Sequence, residues 1–308
     1  MSVRALSPEL AEIARTELNE DPKRITADIQ HIKDWLAKQK HLRARTDNQW
    51  LLAFLRGCKF SLERTKEKLD LYYSIRSVAP EFFTVKYNTK TFIDLLNSGT
   101  FLVLTKYAKP TDPVTVLMKP AKYDPDVYNI SDLFSVSAIL NRIMFVDNDN
   151  ATVAGVRTIL DLNGVNMGHF LQMTPLTMKK MVVIGQDASP VRMKGAHYLN
   201  TPPGFETIFN GMKVFLNEKN KKRIYVHNKN MESLYEHIPR EILPAEYGGN
   251  GGTEQEIIEY WNKKVQEYSD WLEEDEQYGT DEAKRPGKPK TAENMFGLEG
   301  SFRQLDFD

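Results

Sequence analysis

The sequence reads Arg192-Met193-Lys194-Gly195-Ala196-His197-Tyr198-Leu199-Asn200 at the centre of residues 186–228, a stretch from which the architecture can be inferred. Residues 196–200 have the composition of a short strand, and Thr201-Pro202-Pro203-Gly204 interrupts it. A second strand-like run, residues 223–227, follows after an intervening helical pattern. The stretch therefore predicts a strand–helix–strand unit.

The intervening segment, residues 205–216, has the pattern of an amphipathic helix. Its apolar residues recur at helical spacing: Phe205, Ile208, Phe209, Met212, Phe215 and Leu216. Cations flank it on both sides, with Arg192 and Lys194 before it and the basic run 219–223 after it. One interpretation is a core-facing helix with solvated lysines at its C-terminus, which the helix dipole favours. The other is a membrane-facing lid, and the basic clusters on both sides favour the lid.

The rest of the chain divides into a helical block and an alternating block. Residues 7–80 carry only helical signals, beginning with the N-cap, first-turn proline and early acid of Ser7-Pro8-Glu9. After about residue 90, strand-like runs alternate with helix patterns, which predicts a mainly parallel sheet with crossover helices. The strands are expected at 101–105, 114–118, 156–162, 196–200 and 223–227.

The predicted fold class is therefore α/β with an all-helical N-terminal domain. We expect that helical domain over residues 1–85 and the α/β domain with its C-terminal helix over 86–278. The remaining residues, 279–308, are polar and proline-bearing and predict a mobile tail.

The amino-acid composition argues against some classes of protein. The 308 residues are 41% hydrophobic and 27% charged with a net charge of −1, which argues against a general nucleic-acid binder. Cys58 is the only cysteine, so no internal disulfide is possible, and this fits a reducing compartment. The first residues lack the apolar core of a signal peptide, and no run is long enough to span a membrane. We expect a cytoplasmic protein with peripheral membrane contact.

Catalytic motifs are missing from the sequence. The six histidines, at 31, 41, 169, 197, 227 and 237, have no zinc-site spacing, and each is expected at the core edge or the surface. Asp161 ends a predicted parallel strand, where α/β sites often lie, but one carboxylate without a partner favours a structural hydrogen-bonding role. The glycine run 248–252 lacks the following Lys-Ser/Thr of a phosphate loop. We predict no catalytic residues, no metal and no cofactor.

Several segments, taken in order, resemble one family. They are Leu51–Phe60, Ile159–Gly164, Arg192–Asn200, Arg223–His227 and Ile242–Gly249. Together they are similar to the CRAL-TRIO (Sec14-like) lipid-binding proteins, in particular the α-tocopherol transfer and retinaldehyde-binding branch. The resemblance covers roughly residues 30–275, and its specificity comes from the ordered set rather than from any single motif.

The resemblance implies an open sheet whose face and covering helices enclose an apolar pocket, with helix 205–216 as a mobile lid. The implied pocket residues are Phe134, Ser137, Asn141, Val156, Leu160, Met173, Met181, Ile184, Phe205, Ile208, Phe209 and Met212. It also implies a phosphoinositide site made by Arg192, Lys194, Lys219 and Arg223, here called the basic quartet. Ser189 and Asn141 depart from the tocopherol-transfer pattern, so the identity of the ligand is not carried over.

Three functions are compatible with this sequence. The first, which the resemblance favours, is intracellular transfer of a tocopherol-, retinoid- or carotenoid-like molecule between membranes. The second is phospholipid (phosphatidylinositol) exchange of the Sec14 kind. The third is an interaction module, or a hydrolase without a known motif. For the first we expect a monomer whose partners are a hydrophobic lipid ligand and a phosphoinositide-containing membrane, without nucleic acid.

Overall fold

The computed structural model describes residues 3–297, and its N-terminal part is mainly helical. The helices of this part are α1 (Pro8–Leu18), α2 (Ile25–Leu36), α3 (Asn48–Gly57) and α4 (Leu62–Val78). The Ser7 hydroxyl caps α1 by accepting a hydrogen bond from the Leu10 amide at 3.3 Å. Asp47 stands at the N-cap of α3 as its sequence suggests, but its carboxylate pairs with Arg45 at 3.1 Å instead of capping.

A five-stranded sheet forms the centre of the molecule. The strands of residues 3–297 are β1 (Leu42–Arg43), β2 (Phe101–Val103), β3 (Val114–Met118), β4 (Val156–Asp161), β5 (Met193–Leu199), β6 (Ile224–Asn228) and β7 (Gly279–Thr280). Strands β2 to β6 form the central sheet, and β1 pairs with β7. The sheet has the order β2-β3-β4-β5-β6, with β2 antiparallel to β3 and the other pairs parallel. The mainly parallel α/β fold is confirmed, although β5 begins at Met193, earlier than expected.

The expectation that residues 7–80 contain only helices is wrong at one point. Leu42 and Arg43 form β1, which pairs antiparallel with Gly279 and Thr280 of β7. The partner strand comes from the far end of the chain, so no local pattern in the N-terminal block signals it.

The remaining helices pack against the sheet and the N-terminal block. They are α5 (Lys90–Asn97), α6 (Ile130–Asp147), α7 (Asp149–Val153), α8 (Met167–Leu171), α9 (Pro175–Val182), α10 (Phe205–Lys213), α11 (Glu218–Lys221), α12 (Met231–Tyr235), α13 (Glu254–Glu267), α14 (Ser269–Asp275) and α15 (Ala292–Phe296). Helix α9 continues as a π-helix over Val183–Ala188. The predicted lid helix ends at Lys213 instead of Leu216, and the expected C-terminal helix is divided at Tyr268.

One aromatic cluster joins the helical block to the rest of the protein. The Trp50 ring of α3 lies 5.5 Å from the Tyr72 ring of α4, measured between centroids. The same ring lies 6.4 Å from Phe145 of α6 and 5.9 Å from Trp271 of α14. The helical block therefore completes its core with residues from the α/β part. The domain boundary at residue 85 stays a prediction.

A buried carboxylate holds the same elements together. Asp275 of α14 is fully buried and forms ion pairs with Arg45 at 3.4 Å and Arg76 at 3.0 Å, as well as with Arg142 of α6. Burial opposes ionisation of Asp275, but the three guanidinium groups outweigh it and lower its pKa. Asp275 thus links the N-terminal helices, α6 and the C-terminal helices by charge.

The predicted mobile tail is partly wrong, because residues 279–297 are packed. Arg285 pairs with Asp70 of α4 at 2.9 Å, and Lys290 pairs with the same carboxylate. Phe296 of α15 is only 1% exposed and packs with Ile75 and Phe82. Charge pairing and an apolar anchor hold a segment whose composition alone indicates mobility. Residues 298–308 of the predicted tail lie outside the described residues.

Across residues 3–297, no helix combines the length and the hydropathy needed to cross a bilayer.

Candidate functional site

An apolar cavity of about 570 Å³ lies between the sheet, α6 and the helices α8 to α10. One face of the sheet supplies its floor, because alternate residues of a strand share a face, such as Leu160 on β4 and Ala196 and Tyr198 on β5. All twelve residues that the resemblance implies for a pocket line this cavity: Phe134, Ser137, Asn141, Val156, Leu160, Met173, Met181, Ile184, Phe205, Ile208, Phe209 and Met212. Their contact with a ligand stays a prediction.

Helix α6 supplies the wall that carries polar groups. Asn129 and Asp132 form a capping box that fixes where this helix begins. Ser137 and Asn141, one helical turn apart, both line the cavity. The Ser137 hydroxyl donates to the Phe134 carbonyl at 2.8 Å, and the half-buried Asn141 amide can both donate and accept. The wall can therefore orient one polar group of an otherwise apolar ligand.

Helix α10 covers the cavity in the closed position. It begins after Gly204, whose φ of 87° is the left-handed conformation that glycine adopts without strain. The rings of Phe205 and Phe209 stack with centroids 5.0 Å apart, and they lie 5.3 and 5.2 Å from the Tyr198 ring. Burial in this apolar contact raises the pKa of Tyr198 to about 12. The cover is thus held by aromatic packing.

The helices around the cavity also present apolar side chains to solvent. Met167 and Leu171, at the two ends of α8, are 68% and 72% exposed, and Val214, just after α10, is 75% exposed. Leu176 at the start of α9 is exposed as well. Four large apolar side chains of this region are therefore only partly covered by the rest of the protein.

The basic quartet is brought together beside the lid. Arg192 and Lys194 pair with one oxygen of Glu17, at 2.9 and 3.1 Å. The Arg223 guanidinium donates to the Met193 carbonyl, which places it next to this pair. Burial lowers the pKa of Lys219, and repulsion from the other three members of the quartet lowers it further. The four charges therefore lie close enough to act on one another.

Two cationic groups near the quartet are absent from the sequence prediction. Lys59, which follows α3, also contributes to the lowered pKa of Lys219. Lys68 of α4 donates to the carbonyls of Gln186, Asp187 and Ser189 at 3.3, 2.6 and 2.9 Å. These carbonyls end the π-helix, so Lys68 fixes the segment that leads into Arg192. No local pattern links either lysine to the quartet, since each acts on residues far along the chain.

A close backbone contact also supports the segment that leads into Arg192. A Cβ atom on Gly57 would lie 2.4 Å from the Pro190 carbonyl oxygen, so only glycine allows α3 to approach so closely. On the other side, the Gln186 amide oxygen accepts hydrogen bonds from the Asn217 amide and the Asn220 side chain, both at 3.0 Å. The segment before the first basic pair is thus connected to both α3 and the lid's C-terminal side.

Three histidines that appear isolated in the sequence come together, two of them, His197 and His227, with stacked rings on the face of the sheet opposite Ala196 and Tyr198. His197 Nδ1 lies 2.9 Å from His227 Nε2, and His227 Nδ1 lies 2.8 Å from the Ser233 hydroxyl. The His237 ring is 5.4 Å from that of His197. Burial and then the neighbouring histidines lower the pKa of His197 to about 3, so it is neutral at pH 7. Among residues 3–297, no group of His, Cys, Asp and Glu has the arrangement of a metal site.

Asp161 and Cys58 have structural surroundings. Asp161 accepts hydrogen bonds from the Asn163 amide at 3.0 Å, from the Asn200 side chain at 2.8 Å and from the Tyr247 hydroxyl. These bonds hold the turn after β4 and match the structural role expected for a single carboxylate. Burial raises the pKa of the Cys58 thiol, which disfavours the thiolate that a nucleophile requires.

The geometry defines a class of protein, one that encloses an apolar molecule between an α/β sheet and a covering helix. Comparison with known proteins gives the family. Residues 97–249 match the CRAL/TRIO domain and residues 21–89 match a Pinta-like UBA domain. The chain is 33% identical over 250 residues to human "Alpha-tocopherol transfer protein-like", covering 80% of this chain and 72% of that relative. It belongs to the CRAL/TRIO family of lipid-binding and lipid-transfer proteins.

Two further relatives are more distant. Human "Clavesin-2" is 28% identical over 256 residues, which cover 79% of this chain and 75% of that protein. The solved structure described as "Crystal structure of Sfh5" is 12% identical, with a TM-score of 0.49, over 86% of this chain and all of that one.

Proposed function

We propose that this protein binds a tocopherol-, retinoid- or carotenoid-like molecule in the cavity and transfers it between membranes inside the cell. The observation that carries this proposal is the apolar cavity that α10 closes. Its volume, about 570 Å³, lies within the range of sites for one small molecule. Ser137 and Asn141 offer hydrogen bonds for a single polar group of such a ligand.

A carrier is needed because an apolar molecule leaves a bilayer slowly on its own. Exposure to water costs about 0.8 kcal/mol per CH₂ group, so a sixteen-carbon chain costs on the order of 13 kcal/mol. A cavity that receives the molecule directly at the membrane avoids most of this cost. Opening of α10 would expose Phe205 and Phe209 to the interface, and closing would cover the ligand again.

Peripheral membrane contact is the second part of the proposal. The exposed side chains of Met167, Leu171, Leu176 and Val214 surround the covered cavity and can enter the interface. The basic quartet would hold this side of the protein on an anionic cytoplasmic leaflet, where each cation contributes about 1 kcal/mol.

Phosphoinositide recognition by the quartet is the third part. Converging cations bind phosphate oxygens through charge-assisted hydrogen bonds, and each arginine can engage two oxygens. Arg192 and Lys219 also line the cavity, so a bound headgroup would lie at the edge of the lid. Headgroup binding could therefore favour the open lid and couple membrane identity to release.

A second candidate, exchange of a phospholipid of the phosphatidylinositol type, is favoured by one observation. Five cationic residues line the cavity, and besides Arg142, which pairs with Asp275, they are Arg64, Lys68, Arg192 and Lys219. A headgroup could bind there with its chains in the apolar part. Native mass spectrometry and lipid extraction of the purified protein separate the candidates. A retained isoprenoid supports the first and a retained phospholipid the second, whereas an empty cavity supports an interaction module or a hydrolase.

Leu160→Trp tests the cavity. A bulkier side chain on its floor should reduce ligand uptake by roughly 5- to 100-fold, which corresponds to an overpacking cost of about 1–3 kcal/mol. Val226→Trp is the control, because it adds the same ring at an exposed position of β6. Unchanged uptake by the folded Leu160→Trp variant would mean that the ligand does not occupy this part of the cavity.

Vesicle binding tests the quartet. Arg192→Ala and Arg223→Ala should each weaken binding to phosphoinositide vesicles and slow release there, while affinity for the cavity ligand in solution stays nearly the same. Lys222→Ala is the matched control, since it removes one exposed cation from the same basic run. Equal losses in all three variants would indicate general attraction to an anionic surface and not a headgroup site.

The proposal also covers catalysis, cofactors and oligomeric state. We propose no catalytic centre, metal, cofactor or nucleic-acid partner for this chain, and a monomeric state. Size-exclusion chromatography with light scattering at several concentrations tests the last of these.

A further inference from the structure

We propose that Glu17 of α1 is a built-in competitor for the basic quartet, which a headgroup must displace before it binds. This inference rests on the phosphoinositide site proposed above and adds a regulation to it. Glu17 lies outside every motif that points to the quartet, and only the fold brings it there.

The contact has the geometry of an occupied anion site. A single carboxylate oxygen of Glu17 lies 2.9 Å from Arg192 Nη2 and 3.1 Å from Lys194 Nζ. A phosphate oxygen would make the same two charge-assisted hydrogen bonds. Burial opposes ionisation of Glu17, yet its bonds to Lys194 and Arg192 lower its pKa, so it stays charged at neutral pH. The charge of the first half of the quartet, Arg192 and Lys194, is therefore partly neutralised in the free protein.

Helix α1 is firmly placed while the Glu17 side chain is free to turn away. Before the helix, Arg4 pairs with Asp149 at 2.6 Å, and after it Glu20 pairs with buried Arg56 at 2.9 Å. Leu10, Ala14 and Leu18 of α1 pack on Val153 and Ala154. By contrast, the Glu17 side chain is 47% exposed. Displacement thus needs only a rotamer change, which occurs within nanoseconds at the surface.

The contact would make the site selective for highly charged headgroups. An arriving ligand must replace two ion pairs before it gains any attraction from Arg192 and Lys194. A headgroup with several phosphate charges also engages Lys219 and Arg223, which Glu17 does not contact, and so compensates for the loss. A lipid with one negative charge gains less from Lys219 and Arg223 and so compensates less for the same loss. Glu17 therefore sets a threshold of charge density for binding.

Glu17→Gln tests the inference with the full-length protein. The variant keeps the size of the side chain and removes its charge, so it should bind vesicles containing phosphatidylinositol bisphosphate about 2- to 5-fold more tightly, as expected for a half-exposed ion pair. It should gain more, in proportion, on vesicles that carry only phosphatidylserine. Glu12→Gln is the matched control, because it changes the protein's charge equally on the same helix but removes a contact with Arg15.

The outcomes separate this inference from the function on which it rests. A gain in Glu17→Gln that disappears in the double variant with Arg192→Ala supports the competitor. If Arg192→Ala weakens binding but Glu17→Gln equals wild type or Glu12→Gln, the competitor is refuted and the headgroup site stands. If Arg192→Ala has no effect on phosphoinositide vesicles, the headgroup site itself is refuted. Thermal unfolding of each variant verifies that the fold is retained.

Discussion

The two sides of the cavity are held together by different forces. On the anchored side, α4 and α6 are bound to the C-terminal helices by the Asp275 ion pairs and by the aromatic contacts of Trp50. On the lid side, α10 is held by the stacked rings of Phe205 and Phe209. Buried ion pairs are strongly destabilising to break, whereas apolar contacts near the surface can re-form against another apolar phase.

Under the proposed function, this difference would allow α10 to move where a ligand enters and leaves the cavity. The anchored side is held by ion pairs whose shared carboxylate, Asp275, is fully buried, so breaking them would leave uncompensated charge. Under the proposed function, α10 would exchange its apolar contacts with the cavity for apolar contacts with a bilayer. Substitutions on the two sides should therefore have different effects on stability and on ligand release.

The largest effect is expected on the anchored side. Asp275→Asn leaves three guanidinium groups, of Arg45, Arg76 and Arg142, without their buried counter-charge. We expect the free energy of unfolding to fall by about 3–5 kcal/mol, measured by denaturant titration. Glu273→Gln, an exposed acid on the same helix, should change it by less than about 0.5 kcal/mol. Equal stability of the two variants would show that Asp275 does not hold this side.

The Asp275 cluster also shows where sequence reasoning stops. Periodicity and turn residues predict the strands and the order of elements, because each is a local pattern. Nothing local marks Arg45 or Arg142 as buried, since their partner lies more than a hundred residues further along the chain. The pairing of β1 with β7 and the packing of the tail escape prediction for the same reason.

A smaller effect is expected where the tail meets the anchored side. Burial opposes ionisation of Asp70, but Arg285, Lys290 and His41 outweigh it and lower its pKa from 3.8 to about 2. A lowered pKa stabilises the fold above pH 3.8, and this contribution, about 2 kcal/mol, is lost as the pH falls towards 2. Asp70→Asn should therefore be less stable at pH 7 by a similar amount and should approach wild type near pH 2.

Stability measured across this pH range decides the point. The exposed Asp126→Asn variant serves as the control and should follow wild type throughout. A constant difference between Asp70→Asn and wild type from pH 7 to pH 2 would contradict the role of the charge.

The smallest effect on stability is expected on the lid side. Phe209→Ala removes the stacking with Phe205 and the contact with Tyr198. Two aromatic pairs correspond to about 1–3 kcal/mol, so ligand release should be roughly 5- to 100-fold faster. Global stability should fall by no more than the cost of these contacts, because the closed lid is part of the native state and the rest of the fold keeps its own contacts. Val214→Ala, at the exposed end of the lid, should retain ligand like wild type in solution. A large loss of global stability in Phe209→Ala would place the lid within the anchored core.

Some residues of the candidate site can likewise be predicted from local sequence patterns, whereas others are brought to the site only by long-range packing. The apolar residues of α10 and the members of the quartet stand in motifs, so sequence reasoning could name them. Glu17, Lys59 and Lys68 act on the quartet from the N-terminal helices, and only the packing of those helices on the sheet reveals them. Of the three clustered histidines, His197 and His227 lie on adjacent parallel strands, where sequence spacing carries no information about register.

The aromatic cluster around Trp50 also affects how the protein folds during its synthesis. Its partners include Trp271, and Arg45 bonds the Trp271 carbonyl at 2.7 Å. The N-terminal helices leave the ribosome long before α14 has been synthesised. The apolar side chains that α14 covers in the finished protein therefore stay exposed during synthesis. Nascent chains that end near residue 250, where the matched CRAL/TRIO segment stops, should remain bound to chaperones. Synthesis and packing of the last helices should therefore release the protein from the chaperones.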